Sequence, residues 1–137
     1  MRGKRVEASR AGTIMVGGVD MRARILTQKI RMNKQISSRE AEELRRKQPE
    51  TVFLDVREHG ELAVAAIAGA RHIPMDEVPG QLHSLPAESP LVVLCHHGMR
   101  SQNIVEFLTA RGFPHALNLQ GGIDAWSREV DSRVPRY

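Results

Sequence analysis

Cysteine is almost missing from this chain: Cys95 stands alone in 137 residues. A single thiol forms no internal disulfide, which excludes the small cross-linked scaffolds of secreted proteins. No apolar run approaches the roughly 20 residues that a membrane-spanning helix needs. No second cysteine or histidine cluster completes a zinc-ligand spacing. Aromatic side chains are absent from the basic first 31 residues, so an arm that grips nucleic acid by base stacking lacks its platforms.

What is present is ordinary in bulk and uneven in distribution. Apolar residues make up 41% and charged residues 26%, within the usual range for a globular protein, and the length suits one domain. The formal charge of +4 is not spread evenly. Residues 1–31 hold eight Arg or Lys against Glu7 and Asp20, and the remainder is slightly acidic. Residues 1–35 mix Gly, Ser and Arg with short apolar pieces and show no helical or strand period, so they read as a flexible basic extension. The stretch from Ala11 to Val19 is broken by glycines and makes a poor secretory signal. A cytoplasmic location is the resulting expectation.

The patterned domain runs over residues 36–137. Ser37-Ser38-Arg39-Glu40 has the form of a capping box, with Ala41 and Leu44 behind it and Pro49 beyond the helix end. Thr51 to Val56 is nearly continuously apolar, as in a strand covered on both faces, and Asp55 breaks the run at its C-terminal end. A short helix over 57–66, a brief strand at Arg71 to Pro74 and a helix from Glu77 to His83 follow. Leu91 to Leu94 is the most hydrophobic strand, and Ile104, Phe107, Leu108 and Arg111 share one helical face, ended by Gly112. Ala116 to Leu119 reads as a last strand, Gly121-Gly122 as a turn, and Ile123 to Val130 as a helix burying Ile123 and Trp126. Alternation of this kind predicts an α/β fold: a parallel sheet with helices on both faces.

Chemistry concentrates where the strand at Leu94 gives way to Cys95-His96-His97-Gly98-Met99-Arg100-Ser101. A thiol between a strand's end and a helix's start sits where backbone N–H groups favour an anion. Such surroundings lower a thiol pKa from about 8.5 to roughly 3.5–7.5, making Cys95 a candidate nucleophile. Its competing role is that of a small buried hydrophobe. Arg100 is a candidate anion-binding group, because a cation at a helix N-terminus is unfavourable unless it meets an anion. Adjacent His96 and His97 rarely share one metal ion, so they read as loop residues whose backbone amides turn inward. Asp55 and Arg57 flank the end of another strand, either as supports for the Cys95 loop and substrate or as a mutual ion pair. His72 and Trp126 read as packing residues.

With these residues placed, the chain resembles the single-domain rhodanese family of sulfurtransferases. The matching pieces are Leu54-Asp55-Val56-Arg57-Glu58, Gly69-Ala70-Arg71-His72-Ile73-Pro74, the loop Cys95 to Ser101, and Leu119-Gln120-Gly121-Gly122-Ile123-Asp124-Ala125-Trp126. All four stand in the family's order. The resemblance implies a three-layer, doubly wound α/β fold around a parallel sheet of about five strands. It implies transfer of a sulfane sulfur from thiosulfate or a persulfide, through a Cys95 persulfide cradled by His96 to Ser101, to cyanide or a thiol. Arg100 would meet the thiosulfate charge, and neither metal nor organic cofactor is required. Phosphatases on the same fold have one more residue between cysteine and arginine; the four residues between Cys95 and Arg100 match the sulfurtransferase length. Two alternatives stay open: a persulfide carrier that docks a protein acceptor, and a non-catalytic binding module. The domain calls for no nucleic-acid or membrane partner.

Overall fold

The computed structural model describes residues 33–137 and, ahead of them, the backbone of four residues only. Those four make β1 (Met15–Val16) and β2 (Val19–Asp20), paired antiparallel. The flexible extension expected over residues 1–35 otherwise falls outside the described residues, save for residues 33–35. The chain divides into two units, Met1–Asn33 and Lys34–Tyr137.

The second unit is built on a five-stranded sheet, and all of its pairings are parallel. Its strands are β3 (Gln35–Ile36), β4 (Val52–Asp55), β5 (Arg71–His72), β6 (Leu91–Leu94) and β7 (Ala116–Leu119). Their spatial order is β3-β7-β6-β4-β5, which sets the most hydrophobic strand at the centre. Every residue of β6 and β7 is buried, as parallel strands covered by helices on both faces must be. The expected α/β architecture is therefore the observed one.

Three α-helices lie between strands, α1 (Ser38–Lys47), α2 (His59–Val64) and α3 (Met99–Ala110), and a fourth, α4 (Gly122–Glu129), follows β7. The capping box at the start of α1 is formed: the Glu40 N–H donates to Ser37 Oγ at 3.1 Å, and the Ser37 N–H to Glu40 Oε1 at 2.9 Å. Trp126 on α4 meets Phe53 edge to face at 5.4 Å, and the Arg45 guanidinium of α1 lies over the Phe53 ring. On the opposite side, Ile104, Val105 and Leu108 of α3 pack with Leu54, Leu91 and Val93. Each fully buried aliphatic side chain contributes about 1.5–3 kcal/mol. Arg111 closes the α3 stripe by stacking over Phe107 at 4.4 Å.

Three expectations shift. The sequence carries no sign of strand β3, because two residues are too few to show a period. The helix expected over 57–66 begins only at His59, since Arg57 turns inward. The segment expected as a helix from Glu77 to His83 is a 3-10 helix, Met75–Ser84, broken at Gln81 (φ −124°). Pro79 inside it has no N–H to donate, which disfavours a continuous α-helix. Among the described residues no helix is long and apolar enough to cross a membrane.

Candidate active site

Side chains alternate along a strand, so Cys95 continues the face begun by Leu91 and Val93 and points toward α3. It emerges at the C-terminal edge of the central strand, where ligands bind in open α/β sheets. The residue is 1% exposed. Gly98 then adopts the left-handed conformation (φ 103°) that turns the chain into α3, and few side chains tolerate that angle. The first helical bond runs from the Gln102 N–H to the Gly98 carbonyl, leaving the earlier amides of the turn free of helical partners. They are spent on sulfur. Cys95 Sγ accepts from the Gly98 N–H at 3.1 Å and the Ser101 N–H at 3.4 Å, with Ser101 Oγ also at 3.4 Å.

Burial pushes the Cys95 thiol up, but the Ser101 hydroxyl and the N–H groups of Ser101, Gly98 and Arg100 outweigh it and bring the pKa below the ordinary thiol value. A lowered pKa means more thiolate at any given pH. Alkylation by iodoacetamide, followed against pH, is expected to reach half its maximum rate below about pH 8.5. In Ser101→Ala that midpoint moves upward; an unchanged midpoint would assign no part of the shift to the hydroxyl.

The opposite side of the loop is held by α4. Gly121 is left-handed (φ 79°), and the first amides of α4 reach the loop: Ile123 N–H donates to the Cys95 carbonyl at 2.9 Å, and Asp124 N–H to the His96 carbonyl at 3.2 Å. These bonds fix the start of the loop whose later amides, Gly98 and Ser101, meet the sulfur. A Cβ on Gly122 would lie 2.4 Å from the His96 carbonyl oxygen and 2.5 Å from that of Cys95. Gly122→Ala therefore must displace the loop. It is expected to cost about 1–3 kcal/mol and to raise the Cys95 pKa, read by denaturant melts and by the same alkylation profile.

Residues 37–129 match the family model described as a rhodanese-like domain. The chain belongs to the rhodanese-like domain family. Among its relatives is a putative sulfurtransferase, YtwF, of Bacillus subtilis, 35% identical over 97 residues, with 71% of this chain and 93% of that protein covered. A thiosulfate sulfurtransferase, GlpE, of Coxiella burnetii is 36% identical over 95 residues, covering 69% of this chain and 88% of the relative. In larger relatives the rhodanese-like match is partial: it spans 20% of the maize adenylyltransferase and sulfurtransferase MOCS3-1. The crystal structure of a rhodanese-related protein from Thermoplasma volcanium is similar with a TM-score of 0.64 at 33% identity, covering 70% of this chain and 92% of that one. The domain is thus of the sulfurtransferase type.

Within this rhodanese-like site the loop residues take distinct positions. His97 is exposed, His96 is half-buried, and Met99 is 80% exposed. Arg100 is half-buried and forms a fork with Glu61: Nη1 to Oε2 at 2.8 Å and Nη2 to Oε1 at 3.0 Å. Asp55 and Arg57 are brought to each other and away from solvent. Arg57 Nε lies 2.9 Å from Asp55 Oδ1, and Nη2 lies 2.6 Å from Oδ2, with both residues buried. His72 accepts no catalytic partner; its Nε2 is 2.6 Å from the Arg57 carbonyl.

The imidazoles of His96 and His97 stack at 3.9 Å and 26°, and their ligand atoms lie within 4.8 Å of those of Asp124. Near-parallel stacked rings do not aim their lone pairs at one point 2.0–2.1 Å away, as zinc requires. The Asp124 carboxylate is moreover engaged by Arg128 and Arg136.

Three residues of the site escaped sequence reasoning. Asn118 Oδ1 and Cys95 Sγ both lie within reach of the Ser101 hydroxyl, whose one proton serves either acceptor in turn, and Asn118 Nδ2 donates to the Gly98 carbonyl at 3.2 Å, bracing both ends of the helix entry. An amide in the otherwise apolar stretch Ala116 to Leu119 was the available signal. Glu61 stands three residues after Glu58, where a capping-box acid belongs, and its N-cap bond is formed at 3.1 Å. Nothing local marks Tyr137, whose ring stacks on His96 at 3.9 Å and 6°.

Proposed function

We propose that the domain moves a sulfane sulfur through a persulfide on Cys95. The observation carrying this reading is the set of donors around Sγ: the Gly98 N–H, the Ser101 N–H and, within reach, the Ser101 hydroxyl, on a thiol that is 1% exposed. In the first step the Cys95 thiolate attacks the outer sulfur of a donor. With thiosulfate the S–S bond to the sulfonate breaks, sulfite leaves with the bonding pair, and Cys95 carries S–S⁻. In the second step a thiophile such as cyanide attacks that terminal sulfur, giving thiocyanate and regenerating the thiolate. No proton transfer is needed in either step when both partners enter as anions.

The amides that now hold Sγ serve the outer sulfur of the persulfide, and the positive end of α3 favours the charge that remains throughout. Arg100 adds a cation at the rim, close enough for its charge to interact with that of Cys95. Asp55 and Arg57 support the site at a distance, through the bonds of Arg57 to Tyr137 and the α2 backbone.

Incubation of the full chain with thiosulfate is expected to add one sulfur atom, mapped by peptide mass spectrometry to Cys95. Cyanide then removes it with release of an equivalent of thiocyanate. Absence of the adduct with every sulfane donor tried would sink the reading. A persulfide that forms but resists cyanide would favour a carrier that needs its own protein acceptor. Arg100→Ala is expected to lower kcat/KM for thiosulfate by about tenfold or more, because Glu61 is then left as an unpaired negative charge at the rim. Steady-state thiocyanate assays measure this.

A further inference from the structure

The loop's one arginine does not stand open to an anion: a carboxylate already occupies it. Glu61 is fixed there by four bonds. Besides the fork with Arg100, it accepts the Glu58 N–H at 3.1 Å and the Tyr137 hydroxyl at 2.8 Å. Tyr137 in turn accepts from Arg57 Nη1 at 2.7 Å, so the carboxylate is tied through one phenol to the buried Asp55–Arg57 pair. The Arg100 hydrogen bonds hold the Glu61 carboxyl at about 2, against the raising effect of partial burial. Its negative charge therefore persists across the neutral pH range.

We propose that Glu61 is a specificity-determining residue that neutralises Arg100 and so favours sulfur donors bearing one negative charge over dianions. The inference rests on the sulfur-transfer reading of Cys95. A free guanidinium presents a planar fork suited to sulfonate oxygens. Paired with Glu61 it contributes no net charge, and an approaching thiosulfate dianion meets the carboxylate as well. A donor with one charge, such as a persulfide anion RSS⁻ or a thiosulfonate, is repelled half as strongly. The loop amides and the α3 terminus suffice to hold one charge. They are less able to offset a second one directly beside Glu61.

Two donors separate charge from chemistry. Thiosulfate gives Cys95–S–S⁻ and sulfite; methanethiosulfonate anion, CH3SO2S⁻, gives the same Cys95–S–S⁻ and methanesulfinate. Each step breaks one S–S bond and conserves charge. Loading kinetics are measured for the full chain and for Glu61→Gln, which keeps acceptor and donor groups for the α2 cap and for Tyr137. The ratio of kcat/KM for thiosulfate to that for methanethiosulfonate is expected to rise about tenfold in Glu61→Gln, as one unit charge several ångströms away implies. The change lies in KM, and high salt compresses it. Tyr137→Phe, which loosens Glu61 without discharging it, shifts the ratio the same way by less.

A ratio unchanged in Glu61→Gln overturns the proposal. So does a parallel loss with both donors, which would mark Glu61 as a structural residue only. Failure of both donors to load Cys95 in the unaltered chain would remove the sulfur-transfer reading as well. Normal loading with an unchanged ratio removes the specificity role alone.

Discussion

Cys95→Ser is expected to abolish thiocyanate formation from thiosulfate, by more than about 10⁴-fold, and to take up no sulfur. A serine hydroxyl is not ionised to any useful extent at neutral pH, and an alkoxide has no chemistry by which to hold and release sulfane sulfur. The fold is expected to survive. The smaller hydroxyl would still accept from the Gly98 and Ser101 N–H groups that now meet Sγ, so stability should change by only about 1 kcal/mol. Calorimetry alongside the mass measurement separates the two effects. Sulfur uptake at another residue of the variant would move the nucleophile elsewhere.

Arg57→Met is expected to be the most destabilising single change outside the loop. The arginine is 0% exposed, and besides the Asp55 carboxylate it donates to the Ala65 carbonyl at 2.7 Å and to the Tyr137 hydroxyl at 2.7 Å. Removing it leaves Asp55 as a buried charge whose side-chain partner is gone. Breaking such a pair costs about 3–5 kcal/mol, which for a domain of this size lowers the melting midpoint by more than about 10 °C. The double variant Asp55→Asn with Arg57→Met should recover part of the loss, since the uncompensated charge disappears with it. A double variant less stable than Arg57→Met alone would show that Asp55 has other partners. The pair also joins the end of β4 to α2 and to Tyr137, so its loss should loosen Glu61 and carry a smaller change in donor preference.

Both experiments touch residues that stand out in the sequence, yet the two were legible to different degrees. The position of Cys95 follows from local rules: a hydrophobic run ends, a glycine permits a left-handed turn, and an amphipathic stripe begins. Those rules need no distant residue. The orientation of Asp55 and Arg57 was open between a mutual pair and two separate roles, because i and i+2 spacing at a strand end allows both. Burial under α2 and Tyr137 decided for the pair. Gly121-Gly122 could be read as a turn, but not as the surface on which the Cys95 and His96 carbonyls rest.

By itself, then, the sequence determined the alternating α/β order, the most hydrophobic strand, the thiol at its end and the four-residue interval to Arg100. Each is a matter of composition or spacing within a dozen residues, where side-chain period and turn chemistry act directly. The tertiary structure alone decided what Arg100 meets. Glu61 lies 39 positions before it and Tyr137 lies 76 after Glu61, and no local pattern couples residues so far apart. Their bonds exist because parallel strands deliver the starts of α2 and α3 to the same edge of the sheet. Charge at that edge is set by packing, and packing is a property of the whole fold.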